Sequence, residues 1–142
     1  MTKRTVYRYD NEAYAIGVTV VSRGDHVETL DPNNVAAEQA LRAVSPFAAE
    51  TRRCSLYVWA TKEFAVLAHA LSRAKYLYEC EIDEADIVHI GNVDHFTSAR
   101  DAINAETRAA AANRYWDAPA SGKDRRDELL VKKAIVVSQL MP

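Results

Sequence analysis

The sequence predicts an α+β domain with mostly antiparallel sheets, and three observations carry that reading. Short segments rich in β-branched and aromatic residues recur from one end of the chain to the other. Between some of them, apolar residues recur at helical spacing. The resulting order is strand, strand, helix, strand, helix, two strands, helix, strand, which is not the regular alternation of a parallel α/β fold.

Thr5–Tyr9 is short, β-branched and aromatic, so a strand is expected. Tyr14–Val21 reads as a second strand, with Gly17 weakening it or marking a bulge. Arg23-Gly24-Asp25 is a turn. Asp31-Pro32 starts a helix, because Asp caps well and Pro fits the first turn. That helix runs through Val35, Gln39 and Leu41 to about Val44, and Ser45-Pro46 ends it. Ser55–Ala60 alternates as a strand should, around Leu56 and Val58. Thr61 then caps a helix, with Glu63 favourable in its first turn. Phe64, Leu67, Ala68 and Leu71 fall on one helical face, expected to meet the core. Tyr76–Ile82 is a strand that buries Leu77 or Tyr78 according to register. Asp86–Ile90 is another, closed by a Gly91-Asn92 turn. Asp94 caps a long helix through Phe96, Ala99 and Ile103 to about Asn113, helped by the run Ala109–Ala112. Tyr115-Trp116-Asp117-Ala118-Pro119 breaks it. Ser121–Arg126 is a polar loop, and Glu128–Leu140 carries a strand-like apolar stretch at Ala134–Val137.

With 142 residues the chain is long enough to bury a core as one domain spanning 1–142. A net charge of -2 argues against a general electrostatic grip on nucleic acid, although a local basic patch stays open. No apolar run approaches the roughly 18–20 residues of a spanning helix. Met1-Thr2-Lys3-Arg4 has a basic start but no apolar region after it, so no signal peptide is predicted and the expectation is a cytoplasmic chain without a membrane partner, with secretion by a non-classical route left open. Cys54 and Cys80 each fall in apolar, strand-like sequence and are expected as buried thiols, the alternative of a disulfide having no support in the sequence. His26, His69, His89 and His95 have no partners at metal-ligand spacing, so no metal is expected. Gly24, Gly91 and Gly122 form no phosphate-cradling pattern, which excludes a Rossmann dinucleotide site and a P-loop.

Three islands stand out in a fixed order: Val6-Tyr7-Arg8, Leu56-Tyr57-Val58-Trp59-Ala60-Thr61, and Glu128-Leu129-Leu130-Val131. Together they resemble the ADP-ribosyltransferase family, in particular its small bacterial and phage-type transferases and toxins. The likeness extends over most of the chain. Tyr7-Arg8 is similar to the family's first-strand arginine position. Trp59-Ala60-Thr61, running into the helix of Phe64, resembles a variant of its Ser-Thr-Ser segment. Glu128-Leu129-Leu130-Val131 resembles its closing catalytic-glutamate strand, and Tyr76–Ile82 stands where the family has a core strand. Ala60 and Lys62 depart from the first and third positions of Ser-Thr-Ser. Arg126 stands where arginine-modifying members carry a second Glu or Gln, so arginine is not supported as the acceptor. The first strand lacks the histidine of the diphtheria-toxin-like branch, and the subfamily is open.

The resemblance implies split, mostly antiparallel sheets with flanking helices. It implies an enzyme that takes NAD+ as substrate and moves ADP-ribose to an unidentified acceptor, macromolecular or small, in a toxin, effector, phage or defence setting that leaves room for a cognate inhibitor. A non-catalytic nucleotide- or protein-binding domain on the same scaffold, and an NAD+ hydrolase or RNA 2'-phosphotransferase, are the alternatives. By the same resemblance Glu128, Arg8 and Thr61 are the catalytic candidates, and Arg8, Trp59, Thr61 and Phe64 the NAD-binding ones.

Each has a plainer reading. Nicotinamide leaves C1 of a ribose through an oxocarbenium-like state, which a carboxylate such as Glu128 stabilises; the plainer Glu128 is a solvated residue on a charged loop. Arg8 offers a planar fork to a pyrophosphate or ribose, or pairs with Asp10 or Glu12 on an exposed strand. Thr61 orients the glutamate or ribose through its hydroxyl, or simply caps a helix. Trp59 and Phe64 stack on nicotinamide or adenine, or fill the core. Tyr115-Trp116 flanks the site, or closes the hydrophobic core after the long helix. Lys123-Asp124-Arg125-Arg126 recognises an acidic or phosphorylated acceptor, or is a solvated loop.

Overall fold

The computed structural model of the chain describes residues 2–24, 32–117 and 120–141. Across them the order is β1 (Lys3–Asp10), β2 (Thr19–Val21), α1 (Pro32–Arg42), α2 (Pro46–Cys54), β3 (Leu56–Trp59), α3 (Lys62–Ser72), β4 (Tyr76–Asp83), a 3-10 turn at Glu84–Asp86, β5 (Ile87–Asn92), α4 (Val93–Arg100), α5 (Ala105–Asp117), β6 (Asp127–Val131) and β7 (Lys133–Met141). The class is α+β, and the strand pairings are antiparallel.

The strands form one seven-stranded sheet in the order β2-β7-β4-β1-β3-β6-β5, where split sheets were expected. Its middle is narrow. β1 pairs with β4 along its whole length, from Lys3↔Asp83 to Asp10↔Tyr76, but meets β3 only at Tyr7↔Trp59. Two halves are therefore joined at a one-pair seam. Val6, Tyr78 and Cys80 from one half pack in the same core cluster as Leu56, Val58, Leu129 and Val131 from the other. A second cluster, of Leu41, Ala99, Ala112 and Tyr115 among others, ties α1, α4 and α5 together. β6 is buried along its length. Side chains alternate along a strand, so Leu129 and Val131 enter the sheet core while Glu128 and Leu130 take the other face.

Several elements differ from the sequence expectations for identifiable reasons. The second strand begins only at Thr19, because Gly17 adopts a φ of +91° and turns the chain, its N–H donating to Val136 O at 2.8 Å. The Asp31 cap, Asp25 of the turn and the Ala118-Pro119 break lie outside the described residues. Ser45-Pro46 does more than stop α1. The Ser45 hydroxyl accepts Ala48 N–H at 3.0 Å and Pro46 takes the first turn of α2, a helix absent from the sequence reading. Cys54 consequently ends a helix and is exposed, whereas Cys80 is buried in β4 as expected. Leu77 and Tyr78 are both buried, because β4 is an interior strand. Gly91 and Asn92 continue β5, and the Asn92 side chain, not Asp94, caps α4. The long helix is two. Asn104 accepts Thr107 N–H at 2.8 Å to open α5, and the Arg108 guanidinium closes α4 on the carbonyls of Ala99 and Ala102. Ile103, expected in that helix, is exposed between the two. α5 continues through Tyr115 to Asp117. The closing segment is also two strands, and they do not pair with each other: β6 lies between β3 and β5, β7 between β2 and β4.

Among the described residues no helix is long and apolar enough to cross a membrane.

Candidate functional site

A cleft of about 940 Å³ runs along β1 and β3 at the seam and out to α3 and α4. That volume is in the range of small-molecule and cofactor sites. Four of the five sequence candidates line it: Arg8, Trp59, Phe64 and Glu128. Leu67 and Leu71, expected against the core, line it as well and are 51% and 78% exposed, which is why a helical apolar stripe here faces an opening.

Glu128 is placed by β6, directly opposite Trp59 on β3 and Gly91 on β5. It is 6% exposed, so the solvated-loop alternative is overturned. Its Oε1 accepts the Tyr115 hydroxyl at 2.5 Å and Arg52 Nη1 at 3.0 Å. Oε2 carries no hydrogen bond to a described residue. Arg52, on α2, also donates Nη1 to the Tyr115 hydroxyl at 3.0 Å. Its other edge is bidentate on Glu38 of α1, Nε to Oε2 at 2.9 Å and Nη2 to Oε1 at 2.5 Å. Glu38 in turn pairs with Arg42 at 3.1 Å. The Arg52 guanidinium lies 4.6 Å from the Tyr57 ring centroid and 5.4 Å from that of Tyr115. Burial alone would lower the Arg52 pKa, but Tyr115, Glu38, Tyr57 and Glu128 reverse this and hold it well above its ordinary value. Burial, then the Glu128 charge, pushes the Tyr115 hydroxyl well up, so it stays a proton donor.

Arg8 donates Nη1 to Tyr57 O at 2.9 Å and Nη2 to Asp10 Oδ2 at 3.1 Å. The salt bridge to Asp10 read from the sequence is present, and the side chain lines the cleft nonetheless. Asp10 also accepts Arg23, the Tyr14 hydroxyl and Glu12 N–H. Burial would raise its carboxyl pKa, but Arg8 and these donors hold it lowered. Among the described residues Arg8 Nε is buried with no hydrogen-bond partner, and so is Oδ1 of Asn34, another cleft residue.

Trp59 stacks on Tyr9 with ring centroids 6.2 Å apart and meets Phe64 edge-on at 5.0 Å. Arg126 extends this row, its guanidinium 5.0 Å from the Phe64 centroid. Its Nε sits against Asp94 as an ion pair without the direction of a hydrogen bond. Of the basic loop, Arg126 lines the cleft.

Thr61 stands apart. It caps α3 by accepting Phe64 N–H at 3.4 Å and donates its hydroxyl to Arg125 O at 3.1 Å. It is not among the cleft-lining residues. Its hydroxyl reaches the backbone three residues before Glu128, not the carboxylate. The neighbouring Ala60 N–H holds Asp127 O at 3.1 Å, so this corner steers the entry into β6. Asp127 itself is buried; it accepts Gly122 N–H and Asp124 N–H from the preceding loop and Asn92 Nδ2 from β5.

Sequence reasoning missed Arg52 and Glu38, and weighed Tyr115 only as a flanking residue. The signal for Arg52 is the undetected helix: from a Ser45 cap, Ala48 and Arg52 are four apart on one face, and both are buried. Trp116 donates its indole N–H to Leu41 O at 2.9 Å and packs on His89, away from the glutamate.

Chemically, the floor of the cleft presents an oriented carboxylate, and its walls present aromatic faces and guanidinium groups. That combination suits a ligand with a developing cation, flat rings and an anionic centre. Among the described residues no group of three or more His, Cys, Asp and Glu side chains is arranged to hold a metal ion. No protein-family model matches the chain, and no curated protein matches it either.

Proposed function

We propose that the chain is a mono-ADP-ribosyltransferase that cleaves NAD+ and passes ADP-ribose to an acceptor. The observation that carries the reading is the convergence of Glu128, Arg8, Trp59 and Phe64 on one cleft, from positions 8 to 128 of the sequence.

In this reading Arg8 and Arg126 hold the pyrophosphate, and Trp59 and Phe64 stack on a flat ring of the dinucleotide. Glu128 Oε2 accepts a ribose hydroxyl, and the carboxylate charge stabilises the oxocarbenium as the C1–N bond to nicotinamide breaks. Nicotinamide departs with the bonding pair. The acceptor then attacks C1 and gives up its proton. Thr61 works at one remove, holding the Arg125 backbone that leads into Glu128.

One feature favours the binding-only alternative: Glu128 Oε1 is already committed to a buried arginine and a tyrosine. Nicotinamide release settles the choice. The wild type and Glu128→Gln are incubated with NAD+, alone and with cell lysate, after melting curves establish that both are folded. A transferase releases nicotinamide, and the variant loses about two orders of magnitude of rate. Free ADP-ribose without lysate identifies a hydrolase. Calorimetric NAD+ binding without release, in both conditions, replaces the enzyme with the binding domain.

A further inference from the structure

We infer that Tyr115 and Arg52 are positioning residues for Glu128, and that Gly91 exists to admit the tyrosine, so that the three together set which carboxylate oxygen meets the ligand. This rests on the reading of Glu128 as the residue that stabilises the ribosyl cation.

The case begins with charge. Arg52 is bidentate on Glu38, whose charge is shared with Arg42, so Glu128 is the second carboxylate of a set of two cations and two anions. A second buried carboxylate beside that pair is costly unless donors hold it. Among the described residues two do, and both reach Oε1: the Tyr115 hydroxyl at 2.5 Å and Arg52 Nη1 at 3.0 Å. The donors also bond each other at 3.0 Å, which closes a triangle across α2, α5 and β6. A carboxylate pinned through one oxygen cannot rotate, and the other oxygen keeps its lone pairs for a ribose hydroxyl.

Gly91 supplies the independent observation. It lies opposite Glu128 in the β5–β6 register. A Cβ there would sit 2.3 Å from Cε2 and Cζ of Tyr115 and 2.7 Å from its hydroxyl. The tyrosine ring occupies the space a side chain would take, and only glycine lets it reach Glu128. No left-handed φ is involved at this position, so the demand is for room and not for backbone freedom.

Four proteins test this: wild type, Tyr115→Phe, Gly91→Ala and Glu128→Gln. The first readout is kcat against KM for nicotinamide release. Tyr115→Phe keeps the ring and removes only the donor. Gly91→Ala keeps every charge and displaces the ring. Each should lower kcat about tenfold to a hundredfold while KM for NAD+ stays within about twofold, because binding is untouched and carboxylate orientation is lost. The second readout needs no activity. The buried hydroxyl proton of Tyr115 should appear downfield in the wild-type proton NMR spectrum, vanish in Tyr115→Phe, and move upfield in both Gly91→Ala and Glu128→Gln. Unchanged kcat in both Tyr115→Phe and Gly91→Ala, with Glu128→Gln inactive, overturns the positioning role and leaves the transferase intact. A hydroxyl resonance indifferent to Glu128→Gln overturns the bond itself. A wild type that releases no nicotinamide removes the catalytic purpose together with the transferase, and the resonance then decides alone whether the clamp exists. Should Gly91→Ala fail to fold, Tyr115→Phe carries both readouts.

Discussion

Arg52 is the residue on which the interior charge balance turns. It is 2% exposed and stands between two carboxylates that are 0% and 6% exposed. Arg52→Ala would leave Glu38 and Glu128 facing each other across a cavity, and a buried pair broken on one side costs about 3–5 kcal/mol. Urea unfolding should show that loss, and a loss below about 1 kcal/mol would mean that water or Arg42 reaches the gap. His89 gives a second residue-scale prediction. Its ring is half-buried, packed 4.5 Å from Trp116 and 3.1 Å from Tyr115 O. Burial, chiefly, lowers its pKa, and the bond to Tyr115 O and the Glu128 charge offset this only in part. The unfolded imidazole takes up a proton near pH 6.5 while the folded one resists, so the unfolded chain binds more protons in that window. The contribution of His89 is therefore present above about pH 6.5 and is lost as pH falls through its folded pKa. Unfolding free energies of wild type and His89→Gln, compared at pH 8 and pH 5, should differ less at the lower pH.

Between residues and the whole stand the helix starts, where the sequence is most legible and most deceptive. Ser55–Ala60 followed by Thr61 reads correctly because alternation, a capping hydroxyl and a helical stripe agree. Ser45-Pro46 carries the same capping chemistry but reads as a stop, because proline after a helix usually is one. That single ambiguity hid α2, and with it Arg52. The split between α4 and α5 was hidden for a related reason: alanine-rich sequence propagates a helix on paper, while Asn104 offers a local alternative. The two caps can be compared directly. Ser45→Ala and Thr61→Ala should each cost about 1 kcal/mol. They differ in reach, since Ser45 opens the helix that carries Arg52 while Thr61 holds the loop before Glu128. If the proposed transfer reaction is right and Thr61 acts only through that loop, Thr61→Ala should lower nicotinamide release far less than Glu128→Gln does.

The whole molecule explains why one cleft can collect residues so distant in sequence. The pairing of β1 with β4 ends the chain's first excursion, and β3 touches β1 at a single register pair, so the halves of the sheet diverge on either side of Tyr7 and Trp59. No local pattern encodes that divergence. Only the order of strands does, which is why the sequence yields the α+β class and the three islands but not the seam between them. Trp59, on β3, bridges it by stacking on Tyr9 of β1, and it also meets Phe64 of α3. Trp59→Ala should cost about 2–3 kcal/mol, below the full cost of a wholly buried aromatic because the ring is half-buried. It should also uncouple ligand from fold. A ligand that binds only the folded chain stabilises it by RT ln(1 + [L]/Kd), about 2.7 kcal/mol at a hundredfold excess over Kd. For a domain of this size that amounts to a rise in Tm of roughly 5–10 °C. If the proposed NAD+ site is right, wild type should show such a rise with NAD+, and Trp59→Ala and Arg8→Ala should show much less at the same concentration. An equal rise in all three would put the dinucleotide somewhere other than the seam, since neither the ring that spans the two halves nor the guanidinium beside it would then be holding it.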